Sequence, residues 1–298
     1  MIKKLSELAK MAKNKTTQCL AVAAAADKGV LQAIKNATEN DIIKPVLVGD
    51  KAMIEDISAT IGFSLSGIRI YDEPDPSAAA KLAVSLIRKG DADILMKGKV
   101  STGPLLKAVL DKEEGLRKGG TLSHVAFIES PYYHKLIGVT DAAMNICPEL
   151  GEKADIIRNA VDGFHRLGIK KPKVAVIGAV EVVNPKMSAT TDAALLTIMN
   201  RRGQIKGCEI DGPLALDNAV SAEAAELKGI KSTVAGDADI LVLPDINTGN
   251  VAYKTLNFLG GGLSAAVIMG ASVPVVLTSR ADSEESKLMS IALAAAMD

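Results

Sequence analysis

Short apolar runs alternate with longer stretches of helical periodicity along most of the chain. This alternation predicts strands separated by helices, an order typical of a mainly parallel sheet covered by helices. In the first part of the chain the predicted strands are Gln18–Ala24, Pro45–Val48, Gly67–Tyr71 and Asp93–Met96. The helices predicted between them are Asp27–Asn40, Ala52–Ile61 and Ser77–Lys89.

The pattern changes in the segment Asp111–Ser123, where charges and glycines predict a linker or mobile loop. Two apolar runs, Leu122–Ile128 and Lys135–Val139, follow closely enough to predict an antiparallel, hairpin-like pair. A second α/β series is then predicted. Its helices are Glu149–Leu167, Thr190–Asn200, Ala222–Leu227 and Ser283–Met297, and its strands are Lys173–Gly178, Asp239–Leu243 and Pro274–Thr278, with a further run around Cys208–Leu216. We therefore expect an α/β fold with two sheets around one cleft.

Composition and charge narrow the class of protein. Hydrophobic residues make up 48% of the 298 residues and aromatic residues only 3%, which suits parallel sheets with aliphatic cores. The 35 basic and 35 acidic residues cancel, so no global field favours nucleic acid or an anionic membrane surface. Three cysteines without CxxC spacing, and no apolar run near the ~20 residues that span a bilayer, predict a cytoplasmic protein with reduced thiols.

Polar residues gather at three predicted strand ends, where ligands bind in open α/β sheets. The first cluster follows strand Asp93–Met96 and holds Lys97, Lys99, Ser101 and Thr102. Free backbone N–H groups at the start of the next helix, beside two lysines, predict an anion site. The alternative is an ordinary capped helix with solvated lysines.

The second cluster follows the predicted strand Asp239–Leu243. It contains Asp245, Asn247, Thr248, Gly249 and Asn250, and the helix that follows carries Lys254; these are more hydrogen-bonding groups than a turn requires. Asp245 alone has a simpler interpretation as a helix N-cap.

The third cluster follows the last predicted strand and contains Ser279 and Arg280. The planar fork of an arginine suits a phosphate group, although Arg280 has acidic neighbours that it can pair with on the surface. Asp282 and Glu285 have the spacing of a capping box.

Five blocks of the chain together resemble the phosphate acetyl/butyryltransferase family. These blocks are ADILMKGKVSTGPLLKAVL (92–110), IGVTDAAMNICPEL (137–150), GCEIDGPLALDNAV (207–220), AGDADILVLPDINTGNVAYK (235–254) and PVVLTSR (274–280). They occur in the order of the family's own blocks and extend over nearly the whole chain.

The resemblance implies reversible acyl transfer between coenzyme A and phosphate, with coenzyme A as a co-substrate and no metal. It implies a two-domain fold like that of the isocitrate and isopropylmalate dehydrogenases, with a cleft between the domains. Residues 1–123 and 271–298 would form domain 1, and residues 124–270 would form domain 2 and the interface of a homo-oligomer, at least a dimer. Ser279 and Arg280 carry over as the carbonyl or oxyanion donor and the phosphate ligand, and the first two clusters, with Ser123, become substrate-binding.

Two departures from the family's acetyl-specific members leave parts of the site open. Those members place an aspartate where this chain has Ser286, so the general base is unassigned among Asp245, Asp282 and Glu285. They also carry an arginine where this chain has Phe258, and the segments SHVAFIE and TDAAMN are closer to the butyryl branch. Butyryl is therefore the favoured acyl group, with acetyl and branched acyl groups as the alternatives.

Two further functions share features with this interpretation. A metal- and NAD-dependent hydroxyacid dehydrogenase on the same fold would need clustered aspartates and an arginine-rich site, which the sequence lacks. A non-enzymatic acyl-CoA-binding protein would bind coenzyme A without phosphate-dependent turnover.

Overall fold

A computed structural model describes residues 2–278 and 282–297 of the chain. Its elements, in chain order, are α1 (Ser6–Lys13), β1 (Gln18–Ala23), α2 (Lys28–Glu39), β2 (Ile43–Gly49), α3 (Lys51–Ile61), β3 (Arg69–Asp72), α4 (Pro76–Arg88), β4 (Ile94–Lys97), α5 (Thr102–Val109), β5 (Ser123–Glu129), β6 (Ile137–Thr140), α6 (Leu150–Arg166), β7 (Lys173–Ile177), α7 (Ser188–Arg201), β8 (Glu209–Leu214), α8 (Leu216–Val220), α9 (Ala222–Leu227), β9 (Ile240–Val242), α10 (Ile246–Lys254), a π-helical turn (Thr255–Leu259), β10 (Leu263–Met269), β11 (Val275–Val276) and α11 (Glu284–Met297).

The chain divides into two compact units. The terminal unit comprises Ser6–Gly119 and Ala265–Asp298, and the central unit comprises Met1–Leu5 and Gly120–Ser264. Compactness does not test whether either unit folds as a domain, so the domain limits inferred from the sequence stay a prediction.

The terminal unit contains the strand order β3-β2-β1-β4-β11-β10. The first five strands are parallel to their neighbours, and β10 runs antiparallel to β11. Three helices begin at an aspartate whose carboxylate accepts a hydrogen bond from the backbone N–H three residues on: Asp27 (3.0 Å), Asp50 (3.0 Å) and Asp75 (2.7 Å). Helix α11 packs against α1 and α2 and is buried on nearly all sides, which its alanine-rich sequence permits.

The central unit contains the strand order β5-β6-β9-β7-β8. Strands β5 and β6 are antiparallel, and the remaining pairs are parallel. Phe127 of β5 stacks on Phe164 of α6 with ring centroids 4.7 Å apart. A Cβ atom at Gly138 would lie 2.8 Å from the Phe164 ring, so the glycine makes room for this aromatic pair.

The α/β fold class and the antiparallel β5–β6 pair predicted from the sequence are confirmed. Strand β10 was missed: its segment LSAAVIM begins beside three glycines and contains few of the β-branched or aromatic residues that signal a strand. None of the described helices combines the length and apolar character required to cross a lipid bilayer.

Candidate functional site

The first cluster borders a cavity in the terminal unit. Strand β4 lies between β1 and β11 and is parallel to both, so the carboxyl ends of the three strands lie at the same edge. A cavity of about 270 Å³ opens there. Its lining residues are Asp27, Gly29, Val30, Lys97, Gly98, Lys99, Val100, Thr278 and Lys287.

The floor of this cavity is fixed by backbone contacts. The N–H groups of Gly98 and Lys99 donate to the carbonyl oxygens of Ala23 (2.8 Å) and Ala24 (2.7 Å). A Cβ atom on Gly98 would lie 2.2 Å from the Ala24 carbonyl oxygen, so only glycine permits this approach of the two loops. The loop after β4 is therefore held against the loop after β1.

Lysine side chains give the cavity a positive charge. Lys97 Nζ donates to the carbonyl oxygens of Gly98 (3.3 Å) and Val100 (3.2 Å), which turns its ammonium group back over the loop. Lys99 is exposed and Lys287 is buried, and Asp27 contributes the one carboxylate among the described lining residues. Three cations beside one anion make a local site for an anionic ligand.

The other described residues predicted in the first and third clusters do not line the cavity. Ser101 occupies the N-cap position of α5, but its hydroxyl makes no capping hydrogen bond, and Thr102 begins the helix. Glu285 lies exposed in the first turn of α11, while the hydroxyl of Ser283, rather than an Asp282–Glu285 capping box, accepts from the N–H of Ser286 (3.1 Å). Ser279 and Arg280 lie outside the described residues, directly after Thr278 in the sequence.

The second cluster lies in the central unit, at the start of α10. The Asp245 carboxylate accepts hydrogen bonds from the backbone N–H (2.9 Å) and the hydroxyl (3.1 Å) of Thr248, as the simpler N-cap interpretation predicts. Asn250 donates from its amide to the Ala142 carbonyl oxygen (3.2 Å). Asn247 and Lys254 are exposed.

A loop that the sequence analysis did not assign supports this cluster. The buried Asp141 carboxylate accepts hydrogen bonds from the backbone N–H groups of Ala143 (2.9 Å), Met144 (3.1 Å) and Asn145 (3.2 Å), and from the Asn145 amide (2.6 Å). A Cβ atom on Gly249 would lie 2.0 Å from the Asp141 carbonyl oxygen. Gly249 thus lets α10 contact this loop directly. The glycine at this position is therefore explained by packing.

Ser123 is buried at the start of β5. Its hydroxyl accepts a hydrogen bond from the Asn159 side chain (2.9 Å), so in this conformation it holds α6 against β5. The neighbouring His124 is also buried and makes an edge contact with the Tyr253 ring, 5.8 Å between centroids. Tyr253 in turn shares a hydrogen bond with Ser264 (3.0 Å).

The densest charge network of the central unit lies at the opposite ends of its parallel strands. Lys135 contacts Asp237 (2.8 Å) and Asp239 (2.7 Å), which precede β9, and Lys173 at the start of β7 contacts Asp237 (2.7 Å). Burial alone would raise the pKa of Asp237, but hydrogen bonds from Lys135 and Lys173 outweigh it and hold that pKa well below its ordinary value. We interpret this network as structural, because it lies away from the carboxyl ends of the strands.

Two cysteines are poorly suited to act as nucleophiles. Burial raises the pKa of the Cys208 thiol to about 11, and burial also raises the pKa of Cys19. A thiol with a raised pKa is protonated near neutral pH and reacts slowly.

A second, larger cavity of about 800 Å³ lies between α4 and α5. Leu82, Val84, Pro104 and Ala108 form much of its apolar wall, and Lys81 and Lys107 are exposed beside them. Asp111 and Glu114 are on the same wall, where backbone N–H groups of Glu114 and Glu113 lower the pKa of Asp111 and Glu114 pairs with Arg88.

The structure thus brings Lys97 and Lys99 to the edge of the sheet where β11 also ends. It adds Asp27, Gly29 and Lys287, which the sequence analysis did not assign to a site. Asp245, Gly249 and Asn250 group with Asp141 in the other unit. The predicted convergence of all three clusters on one opening stays a prediction.

Comparisons with known proteins place these residues in a family. The family model described as phosphate acetyl/butaryl transferase matches residues 75–295. The chain is 50% identical over 295 residues to a phosphate butyryltransferase of Clostridium acetobutylicum, covering 99% of this chain and 98% of the relative. It is also 50% identical over 291 residues to a phosphate acetyltransferase of Thermotoga maritima, covering 98% of each.

Solved structures agree with this result. A branched-chain phosphotransacylase from Enterococcus faecalis superimposes with a TM-score of 0.83 at 35% identity, covering 94% of this chain and 99% of that one. A 4-hydroxythreonine-4-phosphate dehydrogenase from Klebsiella pneumoniae superimposes with a TM-score of 0.56 at 17% identity, covering 94% and 98%, which shows the fold alone and confirms the predicted likeness to dehydrogenases. The chain belongs to the phosphate acetyl/butaryl transferase family.

Proposed function

We propose that this protein catalyses the reversible transfer of a short acyl group between coenzyme A and inorganic phosphate. Its family membership supports this reaction class. The observation that carries the proposal is the lysine-lined cavity at the end of β4, whose wall includes Thr278 directly before Ser279 and Arg280. The groups that Ser279 and Arg280 are predicted to bind, a developing oxyanion and a phosphate, are both anionic, as the charge of this cavity requires.

The proposed step needs positioning and electrostatic stabilisation but no covalent nucleophile from the protein. An oxygen of hydrogenphosphate attacks the thioester carbonyl carbon, and a C–O bond forms to give a tetrahedral oxyanion. The C–S bond then breaks and expels the coenzyme A thiolate, acyl phosphate is the acyl product, and the proton lost by hydrogenphosphate ends on the coenzyme A sulfur. In this scheme Ser279 donates to the oxyanion and Arg280 binds the phosphoryl oxygens.

In the reverse direction the coenzyme A thiol must lose its proton. A free thiol titrates near ~8.5, so a nearby carboxylate is the proposed general base. Asp245, Asp282 and Glu285 remain the three candidates. Asp245 already accepts two hydrogen bonds as the cap of α10, which ties its carboxylate to a structural task.

The favoured acyl group is butyryl, with acetyl as the alternative. Relatives named for each acyl group are both 50% identical to this chain, so overall identity does not discriminate between them. Phe258, which replaces a charged residue of acetyl-specific members, lies in the π-helical turn with 66% of its surface exposed. Its exposure leaves the ring available to a ligand or to another subunit. The preference for butyryl therefore rests on the sequence of the segments SHVAFIE and TDAAMN alone.

The reaction is tested by measuring phosphate-dependent release of free thiol from acyl-CoA thioesters of two to five carbons. We expect turnover that requires phosphate and has its highest kcat/KM with butyryl-CoA. A maximum at acetyl-CoA would contradict the butyryl preference but preserve the reaction class. No phosphate-dependent release from any of these thioesters would contradict the reaction class itself.

We place the nucleotide end of coenzyme A in the cavity between α4 and α5. Its volume of about 800 Å³ is within the range of ligand sites, and its apolar wall can receive an adenine ring. Lys81 and Lys107 can bind phosphate groups, and Asp111 can accept hydrogen bonds from ribose hydroxyls. Only residues 101 and 102 separate Val100, which lines the anion cavity, from Gly103, which lines this one.

The double variant Lys81→Ala, Lys107→Ala tests this placement. It should raise KM for butyryl-CoA about tenfold, the effect of losing roughly 1.4 kcal/mol of binding, because two phosphate-binding cations are removed. KM for butyryl-pantetheine, which lacks the nucleotide, should stay unchanged in the same variant. Equal KM values for butyryl-CoA in variant and wild type would place the nucleotide elsewhere.

We further propose that the protein works in the cytoplasm as a homo-oligomer, at least a dimer. Most of its exposed large apolar side chains belong to the central unit, which the sequence analysis assigned to the subunit interface. They include Ile146, Val182, Val183, Leu227, Val251, Phe258 and Leu259, each more than half exposed. Exposed apolar side chains in such number favour burial against a partner.

A further inference from the structure

Three lysines are buried among the described residues: Lys135, Lys153 and Lys287. Lys135 forms ion pairs with Asp237 (2.8 Å) and Asp239 (2.7 Å), and Lys153 forms one with Asp192 (2.6 Å). These two lysines follow the general rule that a buried charge is paired, since an isolated ammonium group loses its hydration on burial. They provide the standard against which the third lysine can be judged.

Lys287 departs from that rule. It is 8% exposed, and its ammonium group donates to the carbonyl oxygen of Asp282 (2.5 Å). No described carboxylate forms an ion pair with it, whereas the other two buried lysines each have one at less than 3 Å. The ammonium group has three donors and a full charge, and one carbonyl oxygen compensates for only part of that.

The surroundings of Lys287 direct its charge toward the anion cavity. Residue 287 lies at the start of α11 and lines the cavity together with Thr278, Lys97 and Lys99. Its Nζ atom lies 3.9 Å from the position that a Cβ atom would take on Gly29. The absence of a side chain at Gly29 therefore leaves space beside the ammonium group, on the cavity wall.

The carboxylate of Asp27 lines the same cavity but serves another purpose. It accepts the N–H of Val30 (3.0 Å) as the cap of α2, and it is not within ion-pair distance of Lys287. Because the Asp27 carboxylate is engaged in capping α2, it does not take the place of an anionic ligand beside Lys287.

We infer that Lys287 is a ligand of the transferring phosphoryl group, donating to its non-bridging oxygens in inorganic phosphate and in the acyl phosphate. This inference rests on the proposed function, which supplies the anion. A phosphate held there completes the ion pair that the described residues lack. The burial of Lys287 keeps water from competing for the same contact.

The test compares Lys287→Met with Lys153→Met, two replacements of a buried ammonium group by an apolar side chain of similar length. Lys287→Met should raise KM for phosphate at least tenfold and leave KM for butyryl-CoA within twofold of wild type. Inorganic phosphate should raise the Tm of the wild-type protein but not that of Lys287→Met. Without phosphate, Lys287→Met should unfold at or above the wild-type Tm, whereas Lys153→Met should unfold below it because Asp192 loses its partner.

Three outcomes would overturn the inference. An unchanged KM for phosphate with an unchanged phosphate-induced Tm shift would remove Lys287 from the site. A Tm loss in Lys287→Met as large as in Lys153→Met would make its role structural. A rise in KM for butyryl-CoA alone would assign the ammonium group to a phosphate of coenzyme A. The Tm arm needs no turnover, so it separates a failure of this inference from a failure of the proposed reaction.

Discussion

Arg280→Ala is expected to lower kcat/KM for phosphate-dependent acyl transfer by about 10²–10³-fold, the usual effect of removing one anion-stabilising donor from an active site. The expectation comes from the sequence block PVVLTSR and from the lysine-lined cavity that ends at Thr278. Arginine binds two oxygens of a phosphate at once, so the methyl group of alanine replaces none of its hydrogen bonds. Steady-state kinetics with phosphate and butyryl-CoA varied in turn would measure the loss.

The matched control is Arg201→Ala, at the exposed end of α7. It also removes one guanidinium group, but Arg201 belongs to the central unit and lines neither cavity, so its kcat/KM should stay within twofold of wild type. Both variants should keep the wild-type Tm within a few degrees. Full activity in Arg280→Ala would move the phosphate site to other residues.

Gly98→Ala is expected to have the second-largest effect, and it should act on stability and activity together. The added Cβ atom would lie 2.2 Å from the Ala24 carbonyl oxygen and 2.7 Å from that of Ala23, so the loop after β4 must move. The movement breaks the hydrogen bonds from Gly98 and Lys99 that fix the cavity floor. We expect a loss of about 3 kcal/mol in the free energy of unfolding, at the upper end for overpacking, and a rise in KM for phosphate.

Gly151→Ala provides the control for this substitution. Gly151 lies in the first turn of α6, and beyond its chain neighbours and its own helical backbone no atom lies within 4 Å of the position of an added Cβ atom. Alanine there should leave the free energy of unfolding unchanged or raise it by about 0.5–1 kcal/mol, because glycine is the poorer helix former. Urea unfolding of the two variants measures the difference, and equal stabilities would show that the close approach at Gly98 is relaxed in solution.

The sequence predicted those parts of the fold that depend on local patterns. Strands such as Ile94–Lys97 are buried apolar runs, and helices such as Lys28–Glu39 begin at a capping aspartate, so each has a signal within a few residues. Strand β10 lacks such a signal, because a serine and two alanines follow its first residue, Leu263, and the strand pairs with β11. Its existence depends on pairing with another strand rather than on the intrinsic preference of its own residues.

The candidate site divides in the same way. Lys97 and Lys99 were predicted because they follow a strand end, a position visible in the sequence. Lys287 was not, because a lysine in a terminal helix is usually solvated, and its burial follows from the packing of α11 against α1 and α2. One signal was available: Lys287 interrupts a helix whose other residues are mostly small or apolar. Asp141 was missed because its backbone partners are only two to four residues away, as in an ordinary loop.

The central claim is that phosphate is the acceptor of the acyl group, and the most direct measurement follows both products of one reaction. Wild-type protein would be incubated with butyryl-CoA and phosphate, with thiol release recorded by a colorimetric reagent and acyl phosphate by ³¹P NMR. We predict equal amounts of free coenzyme A and butyryl phosphate, and no thiol release when phosphate is left out. Thiol released without phosphate, or without a matching acyl phosphate signal, would contradict the account.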